Sequence, residues 1–254
     1  MKDVAPKPVA NETPSATHSM EPASFDSILS AARASLPSHA DEEIKVLENK
    51  VTATRDSSRM AVLFDTLGRL WQGHNQPPVA AYYYLQSGKL DNSEKKLTFA
   101  AQLFLGLARQ AHSEAMQAWA GSMAVDGFSR ALEINPNNDT TKVGLAECYI
   151  GLGETMQGVL LLREVTTSNP ENIPANLILG QQGIVSGQLD KAMGRFEKVL
   201  KAEPDNVEAL LGLAEVYKSK GNKEKAIELL ERTKKIMNNP EFSKDIDKYI
   251  NSFK

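Results

Sequence analysis

Apolar residues recur at helical spacing along most of this chain. Phe25, Ile28, Leu29, Ala32 and Leu36 form one apolar stripe, which predicts a helix from Phe25 to Leu36. Ser24 stands where a cap belongs, and Pro37 ends the helix. Ser38 then precedes Asp41, Glu42 and Glu43, acids that suit the positive end of a helix. Ile44, Leu47, Val51 and Thr54 continue as a narrower seam. That seam suits packing on the rest of the chain or pairing with a second copy. Arg55-Asp56-Ser57-Ser58 is a polar interruption. Met60, Leu63, Phe64, Leu67 and Trp71 then mark an amphipathic helix from Arg59 to His74, which Gln76-Pro77-Pro78 breaks. Val79 to Ser87 reads as the next helix, with Gly88 as its closing residue. Asp91-Asn92-Ser93 caps a helix from Glu94 to Gln110, with Leu97, Ala100, Ala101, Phe104, Leu107 and Ala108 on one side. Ser113 to Ile134 follows.

Beyond Ile134 a longer period takes over. Pro136, Pro170 and Pro204 recur every 34 residues, each followed by a short polar turn. Leu145-Ala146, Leu179-Gly180 and Leu213-Ala214 recur at the same interval. So do Gly153, Gly187 and Gly221, then Gly158, Ala192 and Ala226, then Leu162, Phe196 and Leu230. Small, large and proline positions in this order at this period resemble the tetratricopeptide repeat (TPR) family. The resemblance places three repeats at 139–172, 173–206 and 207–240. Ala124, Phe128, Ala131 and Pro136 extend its phase upstream into an irregular repeat.

The fold class this implies is all-α: a right-handed α-solenoid of antiparallel helix pairs. Its expected divisions are a Pro/Ser/Ala-rich leader at 1–24, N-terminal helices at 25–56, irregular TPR-like pairs at 57–138, three repeats at 139–240 and a capping helix at 241–254. The cap is expected because a repeat stack ends in an apolar face that must be covered. Phe242, Ile246, Tyr249, Ile250 and Phe253 share one face of the final segment.

In the family the first helix of each repeat lines the concave groove. Carried over, that assigns Val143, Glu147 and Ile150, then Leu177, Gln181 and Ile184, then Leu211, Glu215 and Lys218. Family members that clamp a C-terminal carboxylate use Lys, Asn and Arg here. This chain has Val143, Glu147, Leu177 and Glu215 instead, which argues against such a clamp. The mixture of aliphatic and polar residues suits an amphipathic helix or an apolar peptide segment. Gly183 replaces the Tyr found in phase at Tyr149 and Tyr217, and reads as a notch at the centre of the groove. Tyr82-Tyr83-Tyr84 is a second candidate contact, since three neighbours on a helix point in different directions.

Composition narrows the partner class. A net charge of −3 argues against a broad nucleic-acid or anionic-membrane surface. No run reaches the length of a membrane span. The single cysteine, Cys148, permits no internal disulfide and reads as a packing residue. His18, His39, His74 and His112 are scattered without metal-ligand spacing. Gly180-Gln181-Gln182-Gly183 lies inside a repeat helix and does not follow a strand, so it is not a phosphate loop. Catalysis, cofactors and metals are therefore not expected. The expected function is a non-catalytic scaffold holding a protein or peptide in the groove. The alternative is an assembly subunit that self-associates or docks through residues 25–56. The expected compartment is the cytoplasm, or the periplasm or a membrane tether if a signal or anchor was removed upstream of Met1.

Overall fold

The computed structural model describes residues 23–253. The leader expected at 1–24 lies outside them except for its last two residues. Among the described residues there are thirteen α-helices and no strand. They run α1 (Phe25–Ala34), α2 (Ser38–Ala53), α3 (Ser57–Gly73), α4 (Pro77–Asp91), α5 (Glu94–Gln110), α6 (Glu114–Ile134), α7 (Asp139–Gly151), α8 (Thr155–Ser168), α9 (Ile173–Val185), α10 (Leu189–Ala202), α11 (Val207–Ser219), α12 (Lys223–Met237) and α13 (Pro240–Asn251). From α3 to α12 they pack as successive helix pairs, and the whole is an all-α solenoid.

The 34-residue period is written into the caps. Asn138, Asn172 and Asn206 each accept a hydrogen bond from the amide three residues on, at Thr141, Ala175 and Ala209, at 3.1, 3.0 and 2.9 Å. Each thereby satisfies an amide that the first helical turn leaves without a partner. Gly153, Gly187 and Gly221 turn the chain between the paired helices with φ of +87°, +71° and +79°, where a side chain would be strained.

The large residues one period apart, Leu162, Phe196 and Leu230, are all buried. Each meets the first helix of the next pair. Phe196 lies against Gly212, and Phe128, two periods earlier, lies against Gly144. Leu162 shares a core cluster with Ile178, and Leu230 with Ile246. A ring faces a glycine where a leucine faces an isoleucine, so the bulkier ring is accommodated by the absence of a side chain opposite it.

The upstream part is less regular. α5 and α6 have 17 and 21 residues, against 13 and 14 for α7 and α8, and Ser113 rather than a glycine starts the second helix. Gly88 does not close α4. The helix runs on to Asp91 and ends at Asn92, which takes φ +47°. Gly88 serves close packing instead: a Cβ there would sit 3.0 Å from the backbone nitrogen of Leu97. The interruption before Ser57 is a true break, with Asp56 capping α3 through the Arg59 amide.

α1 and α2 fold back on the chain. Ile44 of α2 is fully buried, α2 packs on α3, and α1 packs on α4. One continuous core runs from α1 to α7, and smaller clusters continue through the repeats. At the other end α13 lays Ile246 and Ile250 against Ala214 and Leu230. Among the described residues no helix is long and apolar enough to cross a membrane.

Candidate functional site

The curvature of the stack identifies its inner face. Along the three regular pairs α9 touches both α7 and α11, whereas α8, α10 and α12 make no comparable contact with one another among the described residues. First helices therefore form the inner row, and the second helices splay on the outside. The nine groove candidates all lie on α7, α9 and α11.

Those nine divide into three situations. Val143 and Leu177 are buried and pack within the stack. Ile150 and Ile184 are half-buried, and Gln181 is exposed. Glu147 and the residues of α11 are already engaged. Arg109 Nε of α5 donates to the Glu147 carboxylate at 2.6 Å. Leu211 packs against the α13 cluster. Tyr249 donates its hydroxyl hydrogen to Glu215. Lys218 Nζ donates to Tyr249 Oη at 2.6 Å, pairs with Glu215 at 2.9 Å and lies 4.6 Å from the tyrosine ring centroid.

This three-membered cluster shifts its own proton equilibria. Partial burial alone would raise the Glu215 pKa, but the bonds from Tyr249 and Lys218 outweigh it and hold the carboxyl below its ordinary range. Burial and then the bond to Glu215 push the Tyr249 phenol up. Lys218 is also raised, because its two partners outweigh its desolvation.

The open end of the inner face holds a hollow of about 250 Å³ between α5, α6 and α7. Leu105, Ala108, Ile150 and Leu152 line it with apolar surface, and Arg109 and Glu147 stand at its edge. Cys148 also lines it. Its thiol is 3% exposed, and burial, then the charge of Glu147, push its pKa up to about 12. That leaves no reactive thiolate near neutral pH. Of the hollow's residues, only Glu147 and Ile150 belong to the groove assignment carried over from the family. Arg109, Leu105 and Leu152 escape it because they lie on the irregular pair and in the turn after α7. Tyr249 was legible in principle: it stands one period after Glu215.

Gly183 is not a groove notch. It is buried against α10, where a Cβ would meet Ala192 Cβ at 2.9 Å. The space left by the missing tyrosine opens on the outer side instead.

The tyrosine run is occupied within the chain. Tyr82 stacks on Phe25 with centroids 3.5 Å apart. Tyr83 donates to Glu48 at 3.0 Å, and Tyr84 to Gln72 at 2.8 Å. Glu48 also accepts from Arg33, which bonds Asp41 at 2.6 Å, so α1, α2 and α4 are tied by one polar network. Among the described residues no group of three or more His, Cys, Asp or Glu side chains is placed to hold a metal ion.

Residues 185–244 match the model of the family described as tetratricopeptide repeat. The chain is similar to the CTR9 homolog of Arabidopsis thaliana, 30% identical over 151 residues, which cover 53% of this chain and 14% of that protein. It is also similar to subunit 7 of the anaphase-promoting complex of Arabidopsis thaliana, 31% identical over 90 residues, 35% of this chain and 16% of that protein. The chain thus spans less than a fifth of the length of either relative. Among solved structures it resembles YrrB, described as a TPR protein with an unusual peptide-binding site, with a TM-score of 0.52 and 20% identity over 82% of this chain and 97% of that one. At that identity the likeness is one of fold.

Proposed function

We propose, from the tetratricopeptide repeat match at residues 185–244 and the likeness in fold to a TPR protein, that the chain is a non-catalytic scaffold which seats an amphipathic segment of a partner protein on its inner face. The observation that carries the reading is the hollow between α5 and α7, apolar inside and edged by the Arg109–Glu147 pair. An aliphatic or aromatic anchor of the partner fills it, and the charge pair offers polar groups to the flanking backbone or side chains. Ile184 and Gln181 continue the surface toward the centre of the stack. The relatives support the same class, since one is a subunit of a complex and a structural neighbour is described as binding peptide.

The closed end of the groove supports the binding mode. There α13, an amphipathic helix of this same chain, presents Tyr249 to Glu215 and Lys218 and apolar residues to Leu211. A partner helix meets the open end by the same kind of contact. Residues 25–56 favour the assembly alternative less, because Phe25, Arg33, Ile44 and Glu48 are taken up by the chain's own helices.

A displayed random peptide library panned on the full chain tests the proposal. Binders are expected to carry an apolar anchor and to be lost on Ile150→Lys plus Ile184→Lys, with the fold intact by circular dichroism. Binders that are indifferent to those substitutions sink the groove reading.

A further inference from the structure

The outer face of the first regular repeat departs from its two successors. In the common register Met156, Leu160 and Arg163 of α8 stand where the next repeats have Asp190, Gly194 and Glu197, then Glu224, Glu228 and Glu231. Acidic positions have become apolar and basic. The change is on the surface: Met156 is 72% exposed and Leu160 52%. Val185, at the end of α9, is 74% exposed beside them. Single exposed aliphatics are ordinary. Here Met156 and Val185 line one hollow of about 650 Å³ between α8, α9 and α10, floored by Val159 and Leu179, and Leu160 lines the adjoining hollow, which shares Arg163 with it. Gly183 and Gly194 hold that space open, since in phase they replace Tyr217 and Glu228.

The rim is cationic. Arg163, Lys191, Arg195 and Lys198 all line the hollow, and none makes an ion pair among the described residues. Arg195 is held in place: its Nη1 donates at 2.9 Å to Asn176 Oδ1. Asn176 is itself buried and anchored through its amide to the Pro170 and Asn172 carbonyls at 2.9 and 2.8 Å. Burial, then the nearby charge of Arg163, lowers the Arg195 pKa, as expected for two cations held close without a counter-charge. Among the described residues Lys191 donates to the neutral Gln188 amide, at 2.7 Å, and to no carboxylate. Asp190, the acid in the lining, is taken by Lys220. Glu164, next to Arg163, faces Lys142 instead.

We propose that this outer hollow is a second docking site, separate from the inner groove, for an acidic segment of a partner protein that carries aliphatic anchors. The partner's carboxylates supply the counter-charge that Arg163, Arg195 and Lys198 lack, and Arg195 is fixed in advance for a bidentate contact. The anchors cover Met156 and Val185. The neighbouring outer faces, with Glu224, Glu228 and Glu231, repel the same segment and so set its register.

A displayed random peptide library, panned on the full chain and on two full-chain variants, tests this. The outer variant is Met156→Glu plus Arg163→Glu, both at exposed positions; the inner variant is Ile150→Lys plus Ile184→Lys. The expected result is a class of binders rich in Asp or Glu and in Leu, Ile, Met or Phe. Their synthetic peptides should bind the outer variant more than about tenfold more weakly, lose affinity with added salt and bind the inner variant unchanged. Lys198→Glu, at a third exposed position, should weaken them in the same direction and covers any misfolding of the first variant. The proposal is overturned if no binders depend on the outer residues, or if those that do show no acidic excess. It is equally overturned if light scattering finds that the wild type self-associates through this face and the outer variant does not.

Discussion

The ring of Phe196 lies against Gly212, with no room for a Cβ between them. The same offset along the chain joins Phe128 to Gly144, Leu162 to Ile178 and Leu230 to Ile246. The junction between successive helix pairs is therefore filled by two alternating solutions, a ring against a glycine and a leucine against an isoleucine. This matters because a repeat stack is held together by such nearest-neighbour interfaces.

Gly212→Ala isolates the effect. Alanine is the better helix former by about 1 kcal/mol. The new methyl must nonetheless displace a fully packed ring, and overpacking of this kind costs about 1–3 kcal/mol. The substitution should lower the melting temperature despite its propensity. Combining Gly212→Ala with Phe196→Leu trims the opposing side chain as the methyl is added, and should recover most of the loss. Thermal denaturation by circular dichroism checks both, and an equally unstable double variant would contradict a trade of size between Phe196 and Gly212.

Gly183→Ala poses the same contest inside a repeat. Here the new Cβ would stand 2.9 Å from Ala192 Cβ and 3.2 and 3.3 Å from the Ala192 Cα and N. Backbone atoms cannot rotate away, so α9 and α10 must separate. The expected outcome is net destabilisation in urea unfolding, with overpacking of about 1–3 kcal/mol exceeding the propensity gain of about 1 kcal/mol.

The repeats were legible because a covalent period carries them: Pro136 to Pro204, the cap asparagines and the turn glycines all repeat in register. The helix stripes likewise place α1 to α6 within a few residues. What the pattern leaves out is which face a small residue serves. Gly88 looks like a helix end and Gly183 like a groove notch, yet both mark close helix–helix approach, which depends on the partner's position. The tyrosine run shows the same gap, because its contacts come from Phe25, Glu48 and Gln72, far away in sequence. Of the groove, the period locates the lining helices but not what fills them. Arg109 reaches Glu147 from an irregular pair, and α13 closes the far end.

The contact of Tyr249 with Glu215 and Lys218 makes the docking of α13 depend on pH. Glu215 has a folded pKa below its unfolded value, so its contribution is present above the ordinary carboxylate range and is lost as pH falls through the lowered value. Tyr249 and Lys218 are raised, so theirs is present below their ordinary values and lost as pH rises through the raised ones. Stability of this end should therefore be level near neutral and decline on both sides. Glu215→Gln should lower the urea midpoint at neutral pH, and its difference from wild type should shrink in acid. A difference that holds constant into acid would show that the carboxylate is not the group being lost.

Cys148 reports on the hollow from within. Its thiol is buried, and with its pKa pushed up to about 12 it holds far less thiolate at neutral pH than a free cysteine does. Alkylation by iodoacetamide should therefore be much slower than in the urea-unfolded chain, and should follow transient opening of α7 from α5. The side chain lines the same cavity as Ile150, Arg109 and Glu147. A peptide that depends on Ile150 for binding should slow the reaction further, by occupying the cavity and suppressing the opening. A peptide that depends on Met156 and Arg163 acts on the opposite side of the stack and should leave the rate unchanged. Mass spectrometry of the modified chain separates the two cases. Equal protection by both peptides would mean that the two faces are coupled through α7 and α8 rather than independent.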